Sequence, residues 1–157
     1  MSSIHRYEAT CSWSGSTGVG YDRYDRTHLA RAGSRAPSLS LSGDAAFLGD
    51  PSHLNPEQLI VLAASSCQLL SFLAVAARAR IDVVAYEDEA VGFMPEDDPP
   101  VRLTRIELRP TITVTGDPTD AKLQRLVELA HRECYVANSL RTEISVHATI
   151  LRSGDQK

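Results

Sequence analysis

The sequence predicts a fold that mixes β-strands with two helices, and three observations support this. A long apolar run follows Asn55, a second helical stripe follows Asp117, and the segments around them alternate between apolar and polar residues. The 157 residues, 43% of them apolar, suffice for one sizeable core and are few for two. We therefore expect one domain over residues 1–157, with its core from about residue 4 to residue 151.

The first third of the chain is predicted to hold short strands and a long loop. Residues 4–13 alternate, which predicts a half-buried strand with Cys11 on its core-facing side. Residues 21–31 form a turn that leads into a second strand. Residues 33–55 are rich in Ser, Gly, Asp and Pro and predict a long loop, with one short strand near Leu39. Loops of this length in compact domains often have a function.

A long helix is predicted to begin after Asn55, which is a good N-cap. Pro56 suits the first helical position, and Glu57 complements the positive end of the helix dipole. The apolar run continues to Ile81, about seven turns later. Between residues 59 and 79 the apolar side chains fall on all sides of the helix, so other structure must surround it. A domain this small can hardly enclose such a helix, which favours a dimer that shares it.

The second half of the chain is predicted to form a hairpin, a helix and a closing strand. Residues 81–94 and 101–115 are rich in β-forming residues and are separated by a turn. The helix from Asp117 has an inward stripe that Cys134 continues, and residues 144–150 alternate as a last strand. The stripe consists of Leu123, Leu126, Val127 and Ala130.

Cys67 lies midway along the long helix, where a small buried side chain would be ordinary. Free cysteine is among the most buried residue types, so on composition alone inert packing is the favoured interpretation. A reactive thiol needs a cation or a hydrogen-bond donor beside it, since an apolar environment favours the neutral form. Arg23 and Arg26 could supply the cation, and Glu57 could hold the guanidinium. Glu57 and Cys67 are about 15 Å apart along a helix and cannot touch directly.

Cys134 is followed by a segment in which the helical period ends. A cysteine at such a break can move by local unwinding, as a resolving cysteine does to reach a sulfenic acid. Completion of the buried stripe is the structural alternative.

Several functional classes find no support in the composition. The net charge is −4 and the basic residues are scattered, which disfavours nucleic-acid and anionic-membrane partners. The five histidines are dispersed and no CxxC or HExxH spacing occurs, so we expect neither a metal nor another cofactor. The N-terminal residues lack the apolar core of a signal peptide, and three separated cysteines do not make a secreted disulfide framework, so we expect a soluble, cytoplasmic protein.

Two motifs resemble those of the OsmC/Ohr family of organic hydroperoxide reductases. Asn55-Pro56-Glu57-Gln58-Leu59, with Cys67 ten positions after the glutamate, is similar to the central helix motif of that family. The segment from Ala130 to Ser139, in which Asn138 and Ser139 follow Cys134, resembles its second cysteine motif. The resemblance covers about residues 4–151.

The resemblance implies an α+β fold in which antiparallel sheets wrap around long central helices in an intertwined homodimer. It also implies that Cys67 is the peroxidatic thiolate, Cys134 the resolving thiol and Glu57 the carboxylate partner of an activating arginine. The implied substrates are an organic hydroperoxide and a dithiol reductant, such as a lipoyl-type dithiol.

The region from Gly20 to His28 departs from the arginine-bearing turn of the best-known members and is similar to a less studied branch. Of its two arginines we favour Arg26 over Arg23, because Arg26 shares a strand face with Tyr24 and His28. The alternative function is non-catalytic: a scaffold that binds a small apolar ligand or senses oxidation.

Overall fold

The computed structural model describes residues 4–154, which divide into two compact units. The first unit extends to Leu59 and the second begins at Ile60. The expected single domain over about residues 4–151 stays a prediction.

The first unit contains a three-stranded antiparallel sheet. Its strands are β1 (Ala9–Ser12), β2 (His28–Ala32) and β3 (Leu39–Leu41), in that order across the sheet. Two single-turn 3₁₀ helices, Thr17–Val19 and Ala45–Phe47, lie between and after the strands. The two predicted strands and the short strand in the long loop are therefore confirmed.

The predicted burial of Cys11 is wrong. Cys11 lies on β1 opposite Ala30 of β2, and its side chain is exposed, as is every residue of this four-residue strand. An alternating pattern indicates that the two faces of a strand differ in polarity. It does not ensure that another layer of structure packs on the apolar face.

A closed loop after β3 leads into the long helix. The buried hydroxyl of Ser42 accepts a hydrogen bond from the N–H of Asp50 at 3.0 Å. Gly43 and Gly49 approach so closely that a Cβ on Gly49 would lie 1.8 Å from the Gly43 carbonyl oxygen. Only glycine permits such a backbone approach.

Helix α1 (Pro56–Arg78) begins with a reciprocal cap. The N–H of Gln58 donates to Asn55 Oδ1 at 2.8 Å, and the N–H of Asn55 donates to Gln58 Oε1 at 3.0 Å. This arrangement satisfies two backbone donors at the helix start and confirms Asn55 as the N-cap.

The helix ends three residues before the predicted Ile81. Arg80 adopts a left-handed conformation with φ of 57°, and its N–H donates to the Ala77 carbonyl. The N–H of Ile81 donates to the Ala76 carbonyl at 2.9 Å. These two hydrogen bonds form a Schellman motif, in which the chain reverses while its last carbonyls stay bonded.

The rest of the second unit is a mixed αβ structure. The predicted hairpin is confirmed, with each of its two strands divided in two, and the predicted second helix is confirmed but begins at Asp120 instead of Asp117. Its elements are β4 (Val83–Asp88), β5 (Val91–Phe93), β6 (Arg105–Leu108), β7 (Pro110–Val114), α2 (Asp120–Glu133), α3 (Tyr135–Ser139), β8 (Glu143–Val146) and β9 (Thr149–Arg152).

The sheets of this unit are mixed rather than wholly antiparallel. The orders are β4-β7-β9 and β5-β6-β8, in which the hairpin pairs are antiparallel. The predicted closing strand is divided into β8 and β9, which pair parallel with β6 and β7. Parallel pairing is possible because the helical segment between β7 and β8 carries the chain back to the same end of the sheet.

One face of α1 packs against the rest of the second unit. Phe72 and Val75 are fully buried there, together with the predicted α2 stripe, which is buried throughout. The opposite face carries Leu62 and Leu70, which are 58% and 63% exposed, as well as Leu73. By length and composition alone α1 could cross a membrane, a criterion that the core helix of a soluble protein also meets. Its uncovered apolar face is what the expected dimer would bury.

Candidate active site

The structure brings Cys67 and Cys134 together. Cys67 is partly buried at the middle of α1, and Cys134 is buried, with 1% of its surface exposed, between α2 and α3. Both are free thiols, and they lie close enough for Cys67 to raise the pKa of Cys134. Two residues far apart in sequence thus form one dithiol site.

The position of Cys134 follows from a break between two helices. Its backbone is extended, with φ of −72° and ψ of 109°, so that it ends α2 and begins α3. Its N–H donates to the His131 carbonyl at 3.2 Å, and its carbonyl accepts from the N–H of Asn138 at 3.0 Å. The Asn138 side chain donates to the Arg132 carbonyl at 2.9 Å and ties the two helices together. The predicted end of the helical period is confirmed, although a short second helix follows it.

A backbone amide of α3 contacts the sulfur of Cys67. The N–H of Val136 donates to Cys67 Sγ at 3.5 Å, within the usual range for sulfur acceptors. Within the second unit, this amide is a hydrogen-bond donor in contact with the Cys67 sulfur.

Burial keeps the second thiol neutral. Removal from water raises the pKa of Cys134 to about 11, and the adjacent Cys67 side chain adds to the rise. The N–H groups of Ala137 and Val136 oppose it only in part. At neutral pH Cys134 is therefore a protonated thiol, which reacts slowly as a nucleophile until it loses its proton.

The carboxylate of Asp88 links the sheet to the turn of α1 that contains Cys67. Asp88 ends β4, and its Oδ2 accepts a hydrogen bond from Ser65 Oγ at 2.5 Å. Its Oδ1 accepts from the N–H of Arg109 at 2.7 Å. Both oxygens are thus engaged, and the carboxylate fixes α1 against the junction of β6 and β7.

Tyr86 lies two residues before Asp88, on the same face of β4. Its ring packs against Phe72 of α1 with centroids 6.0 Å apart. Burial raises the pKa of Tyr86 well above its usual value, and the negative charges of Asp88 and of ionised Cys134 add to this effect. Its hydroxyl oxygen is buried and has no hydrogen-bond partner among residues 4–154.

Arg26 lies in the first unit, where its guanidinium is held in one orientation. The group stacks on the Tyr24 ring at 4.0 Å and on the Tyr21 ring at 4.8 Å. It donates to the carbonyls of the same two tyrosines at 3.0 and 2.8 Å. A guanidinium has five N–H donors, so further donors stay available after these two bonds.

Glu57 occupies the first turn of α1 and is partly buried, as predicted for a helix-dipole residue. Arg26 and Glu57 belong to the first unit, whereas Cys67 and Cys134 belong to the second. The roles assigned to Arg26 and Glu57 toward the thiol stay predictions.

No group of three or more His, Cys, Asp or Glu side chains within residues 4–154 is arranged to hold a metal ion.

Comparison with known proteins identifies the family. The family model described as OsmC-like protein matches residues 49–149. The chain belongs to the OsmC-like family. No curated protein matches the sequence.

Solved OsmC-like structures share the fold over nearly the full chain. A protein of unknown function from Vibrio cholerae is 29% identical, covers 94% of this chain and 100% of its own, and superimposes with a TM-score of 0.82. An organic hydroperoxide resistance protein from Elizabethkingia anophelis is 19% identical, with coverage of 98% and 100% and a TM-score of 0.66. The organic hydroperoxide resistance protein OhrB of Bacillus subtilis is also 19% identical, with coverage of 95% and 100% and a TM-score of 0.60. At these lower identities the similarity shows the fold.

The OsmC-like motifs drew attention to the two cysteines but not to their other neighbours. Sequence reasoning missed the Val136 amide, the Ser65–Asp88 hydrogen bond and the Tyr86 hydroxyl. A backbone amide has no signature in a sequence. Ser65 and Asp88 are ordinary residues of a helix and a strand end, so only their contact in space distinguishes them.

Proposed function

We propose that this OsmC-like protein is a thiol peroxidase that reduces organic hydroperoxides to alcohols. Family membership supports a peroxidase-like role in general terms, and two structural neighbours are named organic hydroperoxide resistance proteins. The observation that carries the proposal is the proximity of Cys67 to the segment of Cys134. The N–H of Val136, two residues after Cys134, donates to Cys67 Sγ at 3.5 Å, and Cys67 contributes to the raised pKa of Cys134.

The reaction has three steps. The Cys67 thiolate attacks a peroxide oxygen, the O–O bond breaks, and the alkoxide leaves as the alcohol after taking up a proton. The product is a sulfenic acid on Cys67. Cys134 then attacks that sulfur, the S–O bond breaks, and hydroxide leaves as water with the proton of Cys134. An external dithiol finally reduces the disulfide by thiol–disulfide exchange.

The different burial of the two thiols supports this assignment of roles. Cys67 is partly exposed, and its sulfur already accepts a backbone hydrogen bond. Cys134 is enclosed and held neutral at its raised pKa. A peroxide can therefore reach the first sulfur, while the second stays reduced until an oxidised partner lies beside it.

Arg26 is proposed to stabilise the Cys67 thiolate, with Glu57 as the partner of its guanidinium. The two stacked tyrosines and the two carbonyl hydrogen bonds restrict the Arg26 side chain, which reduces the entropy lost when it binds an anion. Arg23 lies in the same turn and is exposed, so it serves as the matched control.

The proposed assembly is an intertwined homodimer in the cytoplasm. The apolar face of α1 that carries Leu62, Leu70 and Leu73 is exposed within the described residues 4–154, and a second copy could bury it. Leu70→Asp is expected to shift the protein from dimer to monomer in sedimentation experiments. A monomeric wild-type protein would contradict this assembly.

Turnover of peroxide tests the proposed function. Purified protein should consume cumene or tert-butyl hydroperoxide in the presence of a dithiol, and Cys67→Ser should abolish that turnover while Cys11→Ser leaves it unchanged. A wild-type protein that is inactive with several peroxides and dithiols would reject the proposal. Stoichiometric formation of the disulfide without turnover would instead indicate a redox sensor.

The arginine assignment is tested separately. Arg26→Gln is expected to slow peroxide consumption by about a hundredfold, because a charge-assisted interaction with the thiolate is lost. Arg23→Gln should stay within about twofold of wild type. Equal effects of the two substitutions would remove Arg26 from its proposed role.

A further inference from the structure

The hydroxyl of Tyr86 is a buried polar group that the proposed reaction does not yet use. Its oxygen has no hydrogen-bond partner among residues 4–154, although burial of an unpaired hydroxyl is costly. Phenylalanine would fill the same space without that cost. An unpaired hydroxyl in a folded interior therefore requires an explanation.

The contacts of β4 place Tyr86 beside the part of α1 that carries Cys67. Asp88 is bonded to Ser65, and the Tyr86 ring packs on Phe72. The Tyr86 side chain consequently lies along α1 between these two positions. Gln68, fully buried, falls within this interval and directly follows Cys67.

The same side chain is close enough to Cys134 for a charge on that sulfur to act on the Tyr86 hydroxyl. Tyr86 packs against a buried cluster to which α1, β7 and α2 contribute, and Ala130 of α2 belongs to that cluster. Ala130 is one turn before Cys134, and both are buried on the inward side of the helix. The Tyr86 hydroxyl is therefore buried beside the cluster shared by α1 and α2, within the electrostatic reach of Cys134.

We propose that the Tyr86 hydroxyl donates a hydrogen bond to the Cys134 sulfur as that sulfur becomes negative and attacks Cys67. This role rests on the proposed function and makes Tyr86 a positioning residue for the resolving step. In the reduced protein the sulfur of Cys134 is neutral and a weak acceptor, so the hydroxyl stays unpaired. When the proton leaves, the thiolate becomes a strong acceptor in a site that excludes water.

The chemistry of Tyr86 is consistent with a donor that keeps its proton. Its pKa is raised, first by burial and then by the charges of Asp88 and Cys134, so the hydroxyl keeps its proton at neutral pH. It therefore takes no part in proton transfer. The proton of Cys134 leaves with hydroxide as water, and the S–S bond forms as the S–O bond breaks.

An aromatic disulfide reagent that releases a coloured thiolate tests this role without any peroxide. In a Cys11→Ser background the reagent reacts with Cys67 and releases one aromatic thiolate. Cys134 then attacks the Cys67 sulfur of the mixed disulfide and releases a second aromatic thiolate, while its own proton passes to solvent. The rate of the first colour change therefore measures the reaction of Cys67, and the rate of the second measures the attack by Cys134.

Tyr86→Phe is expected to slow the second phase about tenfold, because a hydrogen bond to a charged group is lost. The first phase should be unchanged, and the thermal midpoint of unfolding should be unchanged or higher, since an unpaired buried hydroxyl has been removed. Tyr7→Phe, which removes the hydroxyl of a tyrosine that is 90% exposed, is the control and should alter neither phase.

A second phase within twofold of the control, in a folded Tyr86→Phe protein, would overturn the inference and leave the hydroxyl bonded to Gln68 or to a buried water. If Tyr86→Phe lowers the thermal midpoint and slows both phases equally, the residue has only a packing role, and the inference is also overturned. If the wild-type protein reduces no peroxide, and Tyr86→Phe nevertheless slows the second phase of the colour assay, the proposed function is rejected but the role of Tyr86 is retained.

Discussion

Cys11 and Cys134 were both predicted to face a core, and only one of them does. Cys134 is buried between two helices and lies near a second thiol, whereas Cys11 is exposed on a short strand that no other part of residues 4–154 covers. Cys134 continues a helical stripe that packs against α1 and the sheet. The environment of a cysteine therefore depends on the structural layer that packs over it. A favourable local pattern does not ensure that such a layer exists.

The largest expected effect of the burial of Cys134 is on the pH dependence of its reaction with oxidised Cys67. Because the pKa of Cys134 is raised to about 11, its thiolate fraction should increase about tenfold for each unit between pH 7 and 10. Disulfide formation after a single equivalent of peroxide should accelerate accordingly, by about a thousandfold over that interval. Rapid quenching followed by intact-mass measurement gives the rate. A rate independent of pH in this range would mean that deprotonation of Cys134 does not limit the step.

Cys11 and Cys134 should also differ in the rate at which a thiol reagent modifies them. In the native protein Cys11 should be alkylated at least about a hundredfold faster than Cys134, since modification of a buried thiol requires local opening. Peptide mass spectrometry with isotopically distinct reagents measures both rates in one sample. The difference should vanish in denaturant. Equal native rates would show that the segment at Cys134 opens freely.

Removal of each sulfur should affect stability unequally. Cys134→Ala leaves a small cavity in a closely packed site and should lower the free energy of unfolding by about 1 kcal/mol. Cys11→Ala should change it by less than about 0.5 kcal/mol, because the side chain is already in water. Denaturant titration of the reduced proteins provides the comparison.

A further difference is a loss of stability at high pH that depends on Cys134. The folded protein holds this thiol proton more tightly than the unfolded chain, because burial raises the pKa of Cys134 from 9.0 to about 11. Its stabilising contribution is complete below pH 9 and is lost as the pH rises toward 11. Wild type should therefore lose stability over this interval more steeply than Cys134→Ala, as followed by denaturant titration at each pH. Parallel curves would contradict the assigned shift.

Much of the secondary structure could be predicted because its signals are local. The cap at Asn55, the α2 stripe and the β-hairpin depend on residues close together in sequence, and each was confirmed. The end of α1 was placed too late, since Arg80 in a left-handed conformation is not an expected helix stop. The closing strand was predicted as one piece and forms two, because the parallel partners that divide it come from distant strands.

The sequence by itself determined the family, the approximate position of most helices and strands, and the two thiols on which the proposed function depends, since periodicity and motif spacing are properties of a local segment. Only the tertiary structure decided what surrounds those thiols. The Val136 amide, the Asp88 carboxylate bonded to Ser65, and the Tyr86 hydroxyl come from three separate stretches of the chain. Hydrogen bonding and desolvation act over a few ångströms of space, so the environment that tunes a sulfur is set by packing rather than by its neighbours in sequence.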